Sequence, residues 1–220
     1  MKVSVVIPAL NEEDNLRDAL SSVGRCHEVI VADGSSADST RSVASSLGAT
    51  VITGPAGRGL QMDSGAGAAT GDVLLFLHAD TRLPRGWLED VEKAVSEGYV
   101  AGAFSLSIGS GGAWMRVVER VANLRSGFGL IYGDQAIFAT RKSFFEAGGF
   151  NKLPLMEDVD CVKRLRKLGP VAVLEKRVVT SARRWAAKGR FRNTLKNWLT
   201  LLLYFAGVAP ERLYAMYYKK

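Results

Sequence analysis

Acidic side chains at Asp33, Asp80 and the adjacent pair Glu157-Asp158 fall at the ends of strand-like runs or just beyond one. Hard cations such as Mg²⁺ or Mn²⁺ take oxygen ligands, commonly one or two protein carboxylates with substrate phosphates completing the shell. One acid of this set can therefore anchor a metal–diphosphate while another works as a base. Arg58, in the loop Gly57-Arg58-Gly59, supplies a cation that can neutralise phosphate. The loop lacks the Lys-Ser/Thr ending of a P-loop, and no G-x-G-x-x-G follows the first strand, which argues against ATPase and dinucleotide-binding readings. His78, two residues before Asp80, is either a metal ligand or the hydrogen-bonded wall of a pocket. Metal-binding histidines need companions, and His27 has no evident partner, so the pocket wall carries more weight. Asp80 taken alone reads equally well as a turn residue capping Thr81 and Arg82. No Ser/His/Asp or Cys/His arrangement supports covalent acyl chemistry.

These residues need a rigid frame. Val73 to Leu77 is an unbroken apolar run bounded by Gly71 and Pro84. It reads as a strand buried on both faces at the centre of a parallel sheet. In open α/β sheets ligands bind beyond the carboxyl ends of the strands, where His78-Ala79-Asp80 stands. Val3 to Ile7, Glu28 to Ala32 and Ala49 to Thr53 give earlier strands. Between them lie a helix expected to be capped by Asn11, with Leu16, Ala19, Leu20 and Val23 facing inward, and a helix capped by Asp38. Alternation of this length indicates βαβ units. Leu60 to Thr70 carries Gly65, Ala66, Ala68 and Ala69, small enough for a helix to lie close against the sheet. Further on come a helix over Arg85 to Ser96, a strand over Val100 to Ile108 and a helix over Ala113 to Leu124. A turn at Gly133-Asp134-Gln135 enters another strand, and a helix starting near Met156 stops at Gly169-Pro170.

With 220 residues the chain is most simply one domain, and 47% hydrophobic with 23% charged residues is an ordinary globular balance. A net charge of +7 favours anionic partners. Cys26 and Cys161 are too few and too far apart for a disulfide framework or a zinc site, which suits a reducing cytosol. The N-terminal apolar run is too short for a signal peptide. Residues 183–220 are basic and aromatic. Their apolar stretch Trp198 to Ala209 is about a dozen residues, short of the roughly 20 that span a bilayer. That stretch is either a surface-lying amphipathic helix or one packed on the core.

The runs Val3-Ser4-Val5-Val6-Ile7-Pro8-Ala9-Leu10-Asn11-Glu12-Glu13, Val31-Ala32-Asp33-Gly34-Ser35-Ser36-Ala37-Asp38 and Phe76-Leu77-His78-Ala79-Asp80-Thr81 resemble, in this order and spacing, the family 2 glycosyltransferases. The resemblance covers about the first 180 residues, including Gly133-Asp134-Gln135 and Glu157-Asp158. His-Ala-Asp-Thr and Arg58-Gly59-Leu60-Gln61-Met62 are most similar to the small bacterial transferases associated with radical-SAM or selenium-domain genes. The resemblance implies a GT-A fold, an α/β architecture with a mostly parallel central sheet flanked by helices. It implies a nucleotide-sugar-binding half at 1–98, an acceptor and catalytic half at 99–182, and a helical tail at 183–220. It further implies a UDP- or GDP-linked sugar donor and a divalent cation, Mn²⁺ or Mg²⁺.

By that resemblance Pro8, Ala9, Leu10, Glu12 and Asp33 hold the nucleoside, with Arg58 by the base or phosphates and His78 and Ala79 beside the donor. Asp80 matches the last acid of the D-x-D motif and binds the metal. Asp158 matches the base that deprotonates the acceptor hydroxyl, and direct displacement implies inversion. Gly133, Asp134 and Glu157 fall on the acceptor side. Two departures stand out: His78 replaces the first acid of D-x-D, and only Arg184-Trp185 remains of the Q-x-x-R-W motif of processive members. One transfer per encounter is therefore expected, with Arg184 and Trp185 either lining the acceptor side or forming a structural stack. The acceptor is open, with the tail pointing to a lipid or hydrophobic molecule and to contact with the inner face of a membrane from the cytoplasm. A sugar-phosphate nucleotidyltransferase is the rival enzyme, but its glycine-rich basic signature is missing after the first strand. A nucleic-acid-binding module is the rival of another class, and no nucleic-acid motif is present.

Overall fold

A computed structural model of the chain describes residues 1–109, 112–183 and 190–218. The first half alternates strand and helix: β1 (Val3–Ala9), α1 (Glu13–Val23), β2 (Glu28–Asp33), α2 (Thr40–Ser46), β3 (Thr50–Thr53), α3 (Arg58–Ala68), β4 (Val73–Phe76), β5 (Thr81–Arg82) and α4 (Trp87–Ser96). The second half runs β6 (Ala101–Ile108), α5 (Ala113–Gly127), a 3₁₀ turn at Gly133–Gln135, β7 (Ile137–Thr140), α6 (Arg141–Glu146), α7 (Glu157–Leu165) and β8 (Val171–Thr180). Two helices close it, α8 (Arg190–Phe205) and α9 (Pro210–Tyr218).

One sheet of eight strands, ordered β3-β2-β1-β4-β7-β6-β8-β5, runs through both halves. β3, β2, β1 and β4 are parallel; β7 then enters antiparallel between β4 and β6, and β8 returns parallel to β6. The apolar run from Val73 buries both faces, as its pattern requires. Leu74 and Phe76 pack with Val6, Met62 and Phe144, while Val73, Leu75 and Leu77 pack with Val5, Leu16 and Val91 on the other side. Each such side chain contributes about 1.5–3 kcal/mol by leaving water, so this strand is a rigid base for whatever follows it.

Helix α3 does lie close on the sheet. A Cβ added at Gly65 would stand 2.3 Å from Val6 Cγ1, so no side chain fits at that crossing. Asn11 does not cap α1. It sits at φ 53°, and its Oδ1 accepts from the Ala37 N–H at 2.9 Å, tying the β1 turn to the β2 turn; Glu12 takes the N-cap position. Asp38 does not take the N-cap position of α2 either: Ser39 does, and Asp38, one residue earlier, accepts from the Thr40 N–H at 3.0 Å. The strands β5 and β8 were not legible in the apolar pattern, because β8 is mixed in burial along its length.

The tail folds back on the protein. Leu213 of α9 is buried among Leu155, Met156 and Val159, with Leu203 and Tyr204 of α8 beside them. Among the described residues no helix is long and apolar enough to cross a membrane.

Candidate active site

The carboxyl end of β4 opens on a cavity lined by Arg58, His78, Asp80, Asp134 and Asp158, five of the residues that sequence reasoning singled out. Each arrives on a different support. His78 and Asp80 continue from β4, where the Thr81 N–H donates to His78 O at 3.0 Å and the Ser181 N–H to Asp80 O at 3.0 Å. Arg58 opens α3 and Asp158 lies in the first turn of α7, so two helix N-termini face the same space, an arrangement suited to phosphate. The two helices touch: a Cβ at Gly59 would stand 3.2 Å from Asn151 O and 3.3 Å from Glu157 Cγ.

Asp158 is buried and held by backbone on both oxygens. The Gly133 N–H donates to Oδ2 at 2.7 Å, and the Val159 N–H donates to Oδ1 at 2.8 Å. Gly133 owes its place to Gln135, whose Nε2 donates to Phe104 O at 3.0 Å and to Ser126 Oγ at 2.8 Å, while its Oε1 accepts from the Tyr132 N–H at 3.2 Å. This buried amide pins the turn to β6 and α5. Gly133 must be glycine, since a Cβ would stand 2.7 Å from His78 Nε2 and 3.3 Å from Asp158 Oδ2. His78 therefore packs against the turn that anchors Asp158.

Met156 and Ala136 flank the site with φ of 65° and 49°, left-handed backbone that costs a non-glycine residue about 1 kcal/mol. Such outliers persist where the surroundings over-determine them, often at functional sites.

Charge is concentrated here. Burial, helped by Asp158 and Asp80 and opposed by Arg125 and Arg58, pushes the Asp134 carboxyl up to about 6. Burial likewise pushes the Tyr132 phenol up to about 12, with the Arg125 guanidinium stacked 3.5 Å from its ring centre. For Arg58 burial works against the charge, yet Glu157 and Asp158 outweigh it and hold the guanidinium above its ordinary value. Arg58 Nε donates to Glu157 Oε1 in a short ion pair. Asp134 Oδ1 and Glu157 Oε2 are buried acceptors with no hydrogen-bond partner among the described residues.

Most of the remaining candidates lie at the ends of β1 and β2, one and two strands from β4. Asp33 ends β2 with its side chain buried; Oδ2 accepts from the Ser36 N–H at 3.0 Å and Oδ1 has no hydrogen-bond partner among the described residues. Gln61 Nε2 donates to Ala9 O and Ala32 O, both at 2.7 Å, tying the ends of β1 and β2 under α3. Pro8 and Ala9 are buried in β1 and Leu10 is exposed just beyond it. Ala79 is buried between His78 and Asp80. Glu12 is gripped by Arg183, whose Nη2 donates to both carboxylate oxygens at 2.8 and 3.0 Å. Arg184 and Trp185 lie outside the described residues.

Sequence reasoning missed the far wall of the cavity. Asn193, Asn197 and Thr200 line it from α8, and Tyr217 and Tyr218 from α9. The Tyr217 O–H donates to Asn197 Oδ1 at 2.7 Å. Asn193, Asn197 and Thr200 are spaced by four and three, which puts them on one helix face, and that period could have revealed them.

The donor set fits a hard cation only in part. No group of three or more His, Cys, Asp or Glu side chains among the described residues forms a metal cage. The cavity instead offers Asp80 with further carboxylates nearby, one of them with a buried oxygen lacking a partner, which suits an ion that completes its shell from substrate phosphates.

Comparison with known proteins agrees with this architecture. An uncharacterized glycosyltransferase of Mycobacterium tuberculosis (strain H37Rv) is 35% identical over 96 residues, 43% of this chain and 43% of the relative. The undecaprenyl-phosphate 4-deoxy-4-formamido-L-arabinose transferase of Klebsiella pneumoniae (strain 342) is 32% identical over 113 residues, 44% of this chain and 35% of that protein. The matches thus span less than half of these curated relatives. Among solved structures, S. aureus TarS 1–349 superposes with a TM-score of 0.68 at 16% identity, covering 99% of this chain and 70% of that one. Glucosyl-3-phosphoglycerate synthase from M. tuberculosis, crystallised with Mn²⁺ and uridine-diphosphate-glucose, gives 0.59 at 23% identity over 80% of this chain and 69% of that one. At such identities the likeness is one of fold, and the fold is GT-A. The model of Glycosyl transferase family 2 matches residues 4–153, well over half of the 220-residue chain, and the chain therefore belongs to that family.

Proposed function

We propose that this chain moves a sugar from a nucleotide-diphosphate sugar, UDP- or GDP-linked, to an acceptor hydroxyl, with inversion and one transfer per encounter. The observation that carries the reading is the meeting of Arg58, Asp80, Asp134 and Asp158 on one cavity at the carboxyl end of the sheet strand β4, with Asp33 ending β2 of the same sheet. Asp33 Oδ1 is an acceptor suited to an N–H of the base. Arg58 and the N-termini of α3 and α7 suit the diphosphate, and the Glu157 pair keeps the guanidinium in place.

Asp80 would hold the divalent cation, Mn²⁺ or Mg²⁺, which when bound neutralises charge on the diphosphate. Asp158 acts as the base. The Gly133 and Val159 N–H groups fix its carboxylate, so it can take the proton of an acceptor hydroxyl as that oxygen attacks the anomeric carbon. The proton goes to Asp158, the new glycosidic bond forms, and the nucleoside diphosphate leaves with the electrons of the broken bond. The UDP-sugar and Mn²⁺ complexes of the structural neighbours and the lipid-phosphate acceptor named for the Klebsiella relative favour this donor, this cation and a lipid-linked acceptor.

Titration of the protein with a panel of nucleotide sugars and Mn²⁺, followed by donor turnover, tests the reading. A folded protein that binds and turns over none of them overturns it. Asp158→Asn should abolish transfer while leaving donor binding nearly intact, and full activity in that variant removes Asp158 as the base.

A further inference from the structure

Helices α5 and α8 border one groove and meet where the rings of Trp114 and Phe191 lie 4.3 Å apart. Each turns an apolar stripe outward. On α5 and the residue that caps its C-terminus the stripe is Val117, Val121, Leu124 and Phe128, exposed by 38 to 72%. On α8 it is Phe191, Leu195, Trp198, Leu202 and Phe205, exposed by 39 to 68%. Both follow alternating steps of four and three, so each stripe is one face of its helix. Soluble proteins rarely leave so large a continuous apolar surface bare.

The exposed charges on the two helices have one sign. Arg116 and Arg120 on α5 and Arg192 on α8 are exposed. The only acid of α5, Glu119, accepts from Ser107 Oγ and the Ile108 N–H and so turns to the sheet, and α8 contains no acid. A second copy of the chain pressed on this face in a two-fold contact would set arginine against arginine. An anionic bilayer complements both features: its headgroups pair with the arginines, and its acyl boundary receives the leucines and aromatic rings.

The face also communicates with the site. A groove between the two helices is walled by Val118, Val121, Ala122 and Trp198, and at its inner end stand Tyr132, Asp134 and Asn197. Those three residues also line the catalytic cavity.

We propose that the α5–α8 face docks on an anionic bilayer, so that the groove opens onto the lipid and an acceptor carried on an apolar tail reaches Asp134 and Asp158 from that side. The docking stands by itself; the role of the groove rests on the glycosyl-transfer reading.

Vesicle co-sedimentation tests it, with phosphatidylglycerol–phosphatidylcholine mixtures set against phosphatidylcholine alone. The expected result is salt-sensitive binding to the anionic vesicles only. Leu124→Glu/Leu202→Glu, at two strongly exposed positions, should lower the partition coefficient at least ~10-fold and leave donor binding in solution unchanged. Arg116→Gln/Arg120→Gln/Arg192→Gln should weaken binding and flatten its salt dependence. Transfer to a long-chain alcohol embedded in the vesicles should fall in step with the partition coefficient. Wild-type protein that leaves anionic vesicles unbound overturns the proposal, as does undiminished binding by the leucine variant. A dimer that the same substitutions dissociate, with vesicles unbound, assigns the face to self-association instead. Vesicle binding without any donor binding would retain the docking and reject the catalytic reading.

Discussion

The Arg58–Glu157 pair permits a prediction whose asymmetry follows from exposure. The Glu157 side chain is 2% exposed and that of Arg58 31%. Breaking a buried pair from one side costs about 3–5 kcal/mol, chiefly because the remaining charge is left uncompensated. Arg58→Ala strands a carboxylate that water scarcely reaches and whose Oε2 has no hydrogen-bond partner even in the intact protein. The expected loss is about 3 kcal/mol, at the low end because the space vacated by a part-exposed arginine admits water. Glu157→Gln keeps the shape and one acceptor oxygen, and the guanidinium it leaves is part-solvated with Asp158 nearby, so about 1 kcal/mol is expected. The double variant Arg58→Ala/Glu157→Gln removes the stranded charge and should lose only about 1–2 kcal/mol, less than the sum of the single losses. Urea unfolding at constant m-value and neutral pH measures all three. Turnover separates the roles, since both variants lacking Arg58 should lose activity while only the single one is strongly destabilised. The reasoning fails if Glu157→Gln costs as much as Arg58→Ala, or if the double variant costs the sum.

Three other outcomes follow from the same geometry. Gly133→Ala forces a Cβ to within 2.7 Å of His78 Nε2 and should cut transfer on the order of 100-fold through misplacement of Asp158, with the protein still folded by circular dichroism. Gly65→Ala, whose Cβ would meet Val6 Cγ1 at 2.3 Å, should instead lower stability by about 1–3 kcal/mol, read from the urea midpoint, while the folded fraction keeps its specific activity. Asp134 sits at about 6, above the ordinary carboxylate range, so its ionisation opposes folding: its contribution is fully present below about 4 and is lost as pH rises through about 6. Asp134→Asn should therefore flatten the fall in stability over that window, and an unchanged slope between urea midpoints at pH 4.5 and 7 rejects the assignment.

Much of the first half could be read directly because its physics is local. Val73 to Leu77 is apolar throughout since both faces are covered, and Gly65 and Ala66 are small since α3 must approach β1. The candidate site residues were legible as types at strand ends: Asp33 at the end of β2, and His78 and Asp80 after β4. What could not be read is what holds them. The pairing of Arg58 with Glu157 spans 99 positions of sequence, and the hold of Gly133 on Asp158 spans 25, so neither leaves a local pattern. Asp158 also lies beyond the residues that the family model matches, which makes its backbone-fixed carboxylate, rather than the match, the support for its role.

The tail was harder to read for a different reason. Apolar residues at helical spacing are ordinarily taken to face the core, and by that rule the stripe from Phe191 to Phe205 should be buried. In α8 the rule is inverted: that stripe faces out, and Asn193, Asn197 and Thr200 face in. A polar stripe turned inward is tolerable only where it borders a polar cavity, and an apolar stripe turned outward is tolerable only where something apolar meets it. The two conditions constrain each other. If the inner face of α8 helps to line the site of transfer, its outer face is the side from which a membrane-borne acceptor can approach, and the reaction and the docking surface share a single helix.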